Sequence, residues 1–210
     1  NKYLRKYQNI KYIKHNVNKG LYHARLTGAD SATGDFIAFV DSDDYVSQDF
    51  YRSMIFKATN ENSDITFSQA IEVNNGRNYI MNLQYYDDEK SIEGNCLDYF
   101  FDQEGHNYRY YTVWNKIFRL DLWKKARPYY SKQKKHLIMT EDIAFTTVLF
   151  SYATKISTCK NAFYYYVRNE GSSTVNTNIS INSIKKKISD ISTSFDFVEN
   201  FLLKRRLYKR

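Results

Sequence analysis

The sequence predicts an α/β fold, a mostly parallel sheet flanked by helices and ending in an amphipathic C-terminal helix. Strand-like and helix-like segments alternate through the first half of the chain. A continuous apolar run, Phe36-Ile37-Ala38-Phe39-Val40, follows a helix-like segment and reads as a central parallel strand buried on both faces. Near the end, Ile184, Ile188, Ile191, Phe195, Val198 and Leu202 recur at helical spacing.

In chain order, residues 10–14 (IKYIK) alternate as a short strand, and Asn16 to Gly20 forms a polar turn. Leu21 to Thr33 reads as a helix, with Gly34 suited to its C-terminus. The apolar strand then stops abruptly at Asp41-Ser42-Asp43-Asp44. Phe50 to Asn60 reads as a helix and Ile65 to Val73 as a strand. Asn74-Asn75-Gly76 marks a turn, with Arg77 to Leu83 returning as a hairpin. Cys96 to Phe101 reads as a helix, and Thr112 to Trp123 fits either strand or helix. Glu141 and Asp142 open a helix running to Tyr152, where acidic residues favour the positive dipole end. Ala162 to Val167 is a strand, and Ile181 to Leu203 the final helix.

With 210 residues, the chain can bury about 70% of its unfolded surface and needs no disulfide to fold. No run of 18 or more apolar residues occurs, and polar, basic Asn1 to Gln8 do not read as a signal peptide. Cys96 and Cys159 have no metal-ligand spacing and suit a reduced, cytoplasmic protein. His15, His23, His106 and His136 show no ligand spacing either. The formal charge of +8 favours an anionic partner: nucleic acid, a membrane surface or a phosphorylated substrate. Basic residues cluster at Lys132 to Lys135 and Lys185 to Lys187, where the plainer reading is a solvated face, and at Lys204 to Arg210, where a solvated face and a binding site stand level.

The chemistry concentrates at Asp41-Ser42-Asp43-Asp44. Ligands of open α/β sheets bind beyond the carboxyl ends of strands. Three packed carboxylates repel one another unless a cation or hydrogen bonds hold them, and Mg²⁺ or Mn²⁺ prefers such oxygens. The competing reading is an acidic turn that caps the next element.

Residues 18–28, Asn-Lys-Gly-Leu-Tyr-His-Ala-Arg-Leu-Thr-Gly, and residues 32–44, Ala-Thr-Gly-Asp-Phe-Ile-Ala-Phe-Val-Asp-Ser-Asp-Asp, closely resemble family 2 glycosyltransferases. So do Val113-Trp114-Asn115-Lys116-Ile117-Phe118-Arg119, Thr140-Glu141-Asp142-Ile143-Ala144-Phe145 and the stretch from Tyr164 to Ser173. Five blocks in the family's order, over about residues 9 to 175, are more specific than any one alone.

The resemblance implies a GT-A-like, Rossmann-type sheet. It implies inverting transfer of a sugar from a nucleotide-diphosphate donor, best guessed as a UDP-sugar, to an acceptor hydroxyl in bacterial surface polysaccharide or glycoconjugate synthesis. It implies a Mn²⁺ or Mg²⁺ cofactor held by Asp43. Asp41 would contact the donor ribose or assist the metal, and Arg25 would hold donor phosphate or support the acidic cluster. Asp142 would be the catalytic base. Arg168 would neutralise the leaving diphosphate, with Ser172 or Ser173 nearby. Trp114, Asn115, Lys116 and Glu141 would lie on the acceptor side. Residues such as Trp114 and the Tyr164 to Tyr166 run are more often core than substrate platform, and for the tyrosines core is the expectation. Leu26 stands where the family usually has Asn.

The catalytic domain would span residues 1–175 and a helical extension 176–210. The family's first strand, turn, helix and acidic strand end, which bind the base, have no counterpart here, so the domain reads as N-terminally incomplete. Partners would be the nucleotide sugar and a glycan or lipid-linked acceptor, not nucleic acid. The basic C-terminal helix could rest on an anionic membrane at the cytoplasmic face; the plainer reading is a helix that packs its Ile stripe on the core. Two alternatives remain: a basic nucleic-acid-binding module, which lacks any recognised motif, and a metal-dependent nucleotidyltransferase, which needs a Gly-rich phosphate loop.

Overall fold

The computed structural model describes residues 2–81, 91–102, 110–133, 137–169 and 180–207. Its elements are α1 (Lys2–Lys6), α2 (Gly20–Asp30), β1 (Phe36–Ala38), β2 (Tyr45–Val46), α3 (Phe50–Asn60), β3 (Ile65–Asn74), β4 (Arg77–Ile80), β5 (Ser91–Glu93), α4 (Cys96–Phe101), β6 (Lys116–Arg119), α5 (Leu120–Tyr130), α6 (Glu141–Phe150), β7 (Lys155–Val167) and α7 (Ile181–Lys204).

The strands form one sheet in the order β1-β6-β3-β7-β2, with β4 beside β3 and β5 beside β7. The sheet is mixed, which corrects the expectation of a mostly parallel one. Only β3 and β7 pair in parallel, Ile65 opposite Ile156 through Val73 opposite Val167; the other recorded pairs are antiparallel. Within the run β1-β6-β3-β7 the antiparallel member is β6, and β2, β4 and β5 add antiparallel pairs at the sides. Strand β6 inserts between β1 and β3 and runs against both. Strands β1, β3 and β7 therefore do point the same way, as the strand–helix–strand alternation implies. The antiparallel member comes from Thr112 to Trp123, whose pattern fits two structures because it holds both, β6 and then α5.

Strand β1 is also not central. It pairs with β6 alone among the described residues, and burial falls from Ile37 and Phe39 to Val40, which is exposed. Residues 10–14 form no strand; Ile10, Tyr12 and Ile13 are exposed. Lys11 to His15 lie beside α2 instead, near Ala24, Thr27 and Gly28. An alternating pattern needs a neighbouring edge to become a strand, and this segment pairs with none.

The helices follow their apolar spacing. In α3, Phe50, Met54 and Ala58 recur every fourth residue and are buried. Helix α6 is buried at nine of its ten positions, as expected of a helix apolar all round. It packs against α4, α5 and α7. Tyr22 of α2 stacks on Phe145 of α6 at 4.8 Å, which holds α2 over the start of the cleft described below. From α7, Val198, Phe201 and Leu202 enter the same core, whereas Ile181, Ile184 and Ile188 are exposed. No helix among the described residues is long and apolar enough to cross a membrane.

Candidate active site

Arg25 lies on the inward face of α2 with Tyr22, Leu26 and Ala29, only 7% exposed. A guanidinium buried there must find anionic partners. It finds three. Nη2 donates to Asp41 Oδ1 at 2.9 Å and Nη1 to Glu141 Oε1 at 2.9 Å. Nη1 also donates to Asp142 Oδ1. Burial opposes the charge, but Asp142, Asp41 and Glu141 together raise its pKa above the ordinary value. One cation thus joins the loop after β1 to the first turn of α6. Of the two roles expected for Arg25, these three contacts are those of a residue that supports the acidic cluster.

The acidic loop is fastened to β7 by a residue whose sequence reads only as core. Buried Tyr164 accepts a hydrogen bond from the Asp41 N–H at 3.1 Å and donates to Asp44 Oδ2 at 2.7 Å. Asp44 Oδ1 also accepts from the Val167 N–H at 2.8 Å. Burial pushes the Asp44 carboxyl above its usual range, and these bonds oppose the shift. Asp44 and Tyr164 are the functional-site residues that the sequence did not mark, although the four-residue acidic run offers a hint of the first. Asp43 differs from both its acidic neighbours. It is exposed, and Asn169 Nδ2 donates to its Oδ2 at 3.1 Å.

On the facing wall, α6 begins after Thr140, whose φ of 56° is unusual for a β-branched residue. This turn places Glu141 and Asp142 at the positive end of the helix dipole. Asp142 Oδ2 accepts from the Val113 N–H at 3.1 Å. Burial raises the Asp142 carboxyl above its usual range, while Arg25 and that amide oppose the rise. Burial and the neighbouring Asp142 push Glu141 up to about 7.

Both walls line one cleft of about 900 Å³. Asp41, Asp43, Asp44, Arg25, Glu141 and Asp142 all face it, joined by Trp114, Tyr166 and Phe195. Trp114 rests on Tyr164 and Tyr166, with ring centroids 4.6 and 5.8 Å away. Tyr164 is core, as expected; Tyr166 is cleft wall.

Three other expected site residues are not brought to the cleft. Asn115, just before β6, and Lys116, its first residue, are fully buried and bonded to Thr112 and to each other, away from the cleft lining; this corrects their placement on an acceptor surface. Arg168 lies at the end of β7, where its Nη1 donates to Glu72 Oε1 at 3.2 Å. Ser172 and Ser173 lie outside the described residues.

Among the described residues no three His, Cys, Asp or Glu side chains converge as a metal cage. The donor set still fits a hard divalent cation. Mg²⁺ commonly takes one or two protein carboxylates and completes its shell with water and substrate phosphate. Asp44 is tied to Tyr164 and Val167, and Asp41 to Arg25, which leaves Asp43 as the outward carboxylate.

With this geometry, the chain belongs to glycosyl transferase family 2, whose profile it matches over residues 1–135. It is similar to the cholesterol galactosyltransferase of Borreliella burgdorferi, 29% identical over 81% of this chain and 48% of that protein. It is also similar to the poly(ribitol-phosphate) beta-glucosyltransferase of Bacillus spizizenii, 30% identical over 80% of this chain and 24% of the relative. Among solved structures, S. aureus TarS 1-349 in complex with UDP-GlcNAc shares 25% identity at a TM-score of 0.64, covering 85% of this chain and 49% of TarS. The chain therefore spans half or less of the length of these relatives. Its fold is the GT-A-like α/β fold, with α7 as the C-terminal helix.

Proposed function

We propose that this chain carries the transfer site of an inverting glycosyltransferase, which moves a sugar from a UDP-type donor to an acceptor hydroxyl of a bacterial glycan or glycoconjugate. The observation that carries the reading is the shared cleft, with Asp43 on one wall and Asp142 on the other. Support for the donor class comes from TarS, which is similar to this chain and was solved with UDP-GlcNAc. Support for a polymer acceptor comes from the similarity to a poly(ribitol-phosphate) glucosyltransferase.

In this mechanism the acceptor oxygen attacks the anomeric carbon as the bond to the donor phosphate breaks. The proton of the acceptor hydroxyl passes to Asp142. A carboxylate has about four lone-pair sites. Arg25 and the Val113 amide occupy one on each Asp142 oxygen, leaving others open to the cleft. Burial raises the affinity of Asp142 for a proton above that of an exposed carboxylate, and Arg25 opposes the rise by favouring the ionised form. Arg25 also fixes the distance between the two walls. Asp43 would hold Mn²⁺ or Mg²⁺, which supplies positive charge to the departing diphosphate. Trp114 and Tyr166 offer an apolar face to a sugar ring. Exposed Ile181, Ile184 and Ile188, beside Lys185, give α7 a face suited to an anionic membrane carrying a lipid-linked acceptor. A nucleic-acid partner has no support in a cleft lined by five carboxylates.

The test is transfer and donor hydrolysis by the full-length protein over a panel of nucleotide sugars, with Mn²⁺, with EDTA and with Asp43→Ala. The expected result is turnover that needs the cation and is lost in Asp43→Ala. Turnover that ignores both EDTA and the substitution would remove the metal from the proposal.

A further inference from the structure

Lys116 is a fully buried basic group that the mechanism leaves without a task. It is a strand residue of β6 with no exposure. Its Nζ donates to the Thr112 carbonyl oxygen at 2.6 Å, to Asn115 Oδ1 at 2.6 Å and to Thr112 Oγ1 at 3.2 Å. The Thr112 hydroxyl in turn donates to Asn115 Oδ1 at 3.0 Å, while its oxygen accepts from the lysine. Three oxygens thus act as acceptors around one nitrogen, which matches the three N–H donors of an ammonium. The Phe67 ring lies 4.5 Å away and adds a cation–π contact.

The Thr112 carbonyl and the Val113 N–H belong to one peptide group. Lys116 holds its oxygen, and its N–H donates to Asp142 Oδ2. Resting on the reading of Asp142 as the base, we propose that Lys116 is a positioning residue that acts on Asp142 through the Thr112–Val113 peptide. A cation on the carbonyl oxygen polarises the amide, and a polarised N–H is a stronger donor to a carboxylate. The same contact fixes the peptide plane, and with it the side of Asp142 left open to the acceptor. Burial pulls the Lys116 amine well below its ordinary pKa, and the Asp142 carboxylate opposes that fall by favouring the ammonium. The lysine and the aspartate thus support each other's charged form. The charged groups facing Asp142 are Arg25 from α2, Asp41 from the loop after β1, Glu141 on α6 itself and Lys116 from β6.

The experiment compares Lys116→Met, Lys116→Gln and Asp142→Asn in the full-length protein, measuring kcat, donor KM and the pH profile of kcat. Lys116→Met is expected to lower kcat by about 10- to 100-fold, the scale of one hydrogen bond to a charged group. Donor KM stays within about twofold, because uniform substrate binding is untouched. The acidic limb of the profile moves to higher pH, since Asp142 loses a stabiliser of its ionised form. Lys116→Gln, which keeps a donor for the carbonyl, recovers part of the rate. An active Asp142→Asn protein defeats the base reading and this inference with it. An inactive Asp142→Asn beside a fully active Lys116→Met overturns the lysine's role alone, and so does a fall in kcat with an unmoved acidic limb. If Lys116→Met does not fold, the NMR signals of the Val113 amide and the Lys116 ammonium decide. Both are expected to shift on Asp142→Asn, and a Lys116 signal identical in the two proteins overturns the coupling.

Discussion

Asp43 and Asp142 face one cleft, yet the first is exposed on a loop and the second sits at the buried start of a helix. The acidic loop is held from outside its carboxylates: by the Tyr164 hydroxyl, the Val167 amide and Asn169. The helix wall is held by charge, with Arg25 as the shared partner of Glu141 and Asp142. The difference fits two chemical tasks. A group that meets a hydrated cation and a diphosphate gains from staying wet, because ligand exchange needs water. A group that takes a proton gains from desolvation, which brings its pKa toward the operating pH. Arg25 joins the two environments while belonging to neither loop nor helix wall.

The largest expected effect tests the dry wall. Asp142→Asn keeps the shape and removes the base, so kcat should fall by about 10²- to 10⁴-fold. Donor affinity, read by calorimetry with the nucleotide sugar, should change little, because the donor contacts lie on the other wall. Loss of donor binding in this variant would mean that the two walls are not separate in function.

The next effect tests the link. Arg25→Met leaves three carboxylates around an apolar side chain, and unpairing a buried ion typically costs about 3–5 kcal/mol. Urea unfolding should show the loss. It should be greatest above pH 7 and smaller near pH 5, where Glu141, already raised to about 7, takes up a proton. An equal loss at both pH values would argue that Arg25 acts by packing alone.

The contrast between the walls was only partly legible in the sequence. Asp41 to Asp44 and Glu141–Asp142 stand out because each signal is local: an apolar strand that stops at acids, and acids at a helix start. Arg25 could not be joined to them in the same way, since its partner Glu141 is 116 residues away. Tyr164 reads as core and is core, and nothing in its neighbours reveals that its hydroxyl holds the acidic loop. Lys116 misleads for the opposite reason. A lysine is expected at a surface, but at the first position of β6 its side chain is buried and is held by Thr112 and Asn115. The strand directions of β1, β3 and β7 followed from alternation. The insertion of β6 is a long-range event, and with the antiparallel strands β2, β4 and β5 it makes the sheet mixed.

A smaller effect separates the two walls by pH. The folded value of Glu141, about 7, lies above its ordinary 4.5. The folded protein therefore binds a proton that the unfolded chain releases. This contribution to stability is full below pH 4.5 and is lost as the pH rises to about 7. Glu141→Gln abolishes it, so its stability relative to wild type should rise across that window. A flat difference between the two unfolding curves would show that Glu141 titrates as an exposed acid does.

The smallest effect belongs to the wet wall. Tyr164→Phe keeps the ring that supports Trp114 and removes one hydroxyl. That hydroxyl serves both Asp41 N–H and Asp44 Oδ2. Losing it should cost about 1–2 kcal/mol of stability, the scale of one or two hydrogen bonds beside partly solvated groups. The Val167 amide still holds Asp44, so the loop loosens without detaching. Looseness on this side should appear in how the donor binds, as a few-fold rise in donor KM and in the Mn²⁺ concentration needed for half-maximal rate. The acidic limb of kcat should stay where it is, because Asp142 is reached through Arg25 and Val113 and not through Tyr164. If Tyr164→Phe instead moves that limb and leaves donor KM unchanged, the tyrosine supports the base, and the division of labour between the walls is drawn in the wrong place.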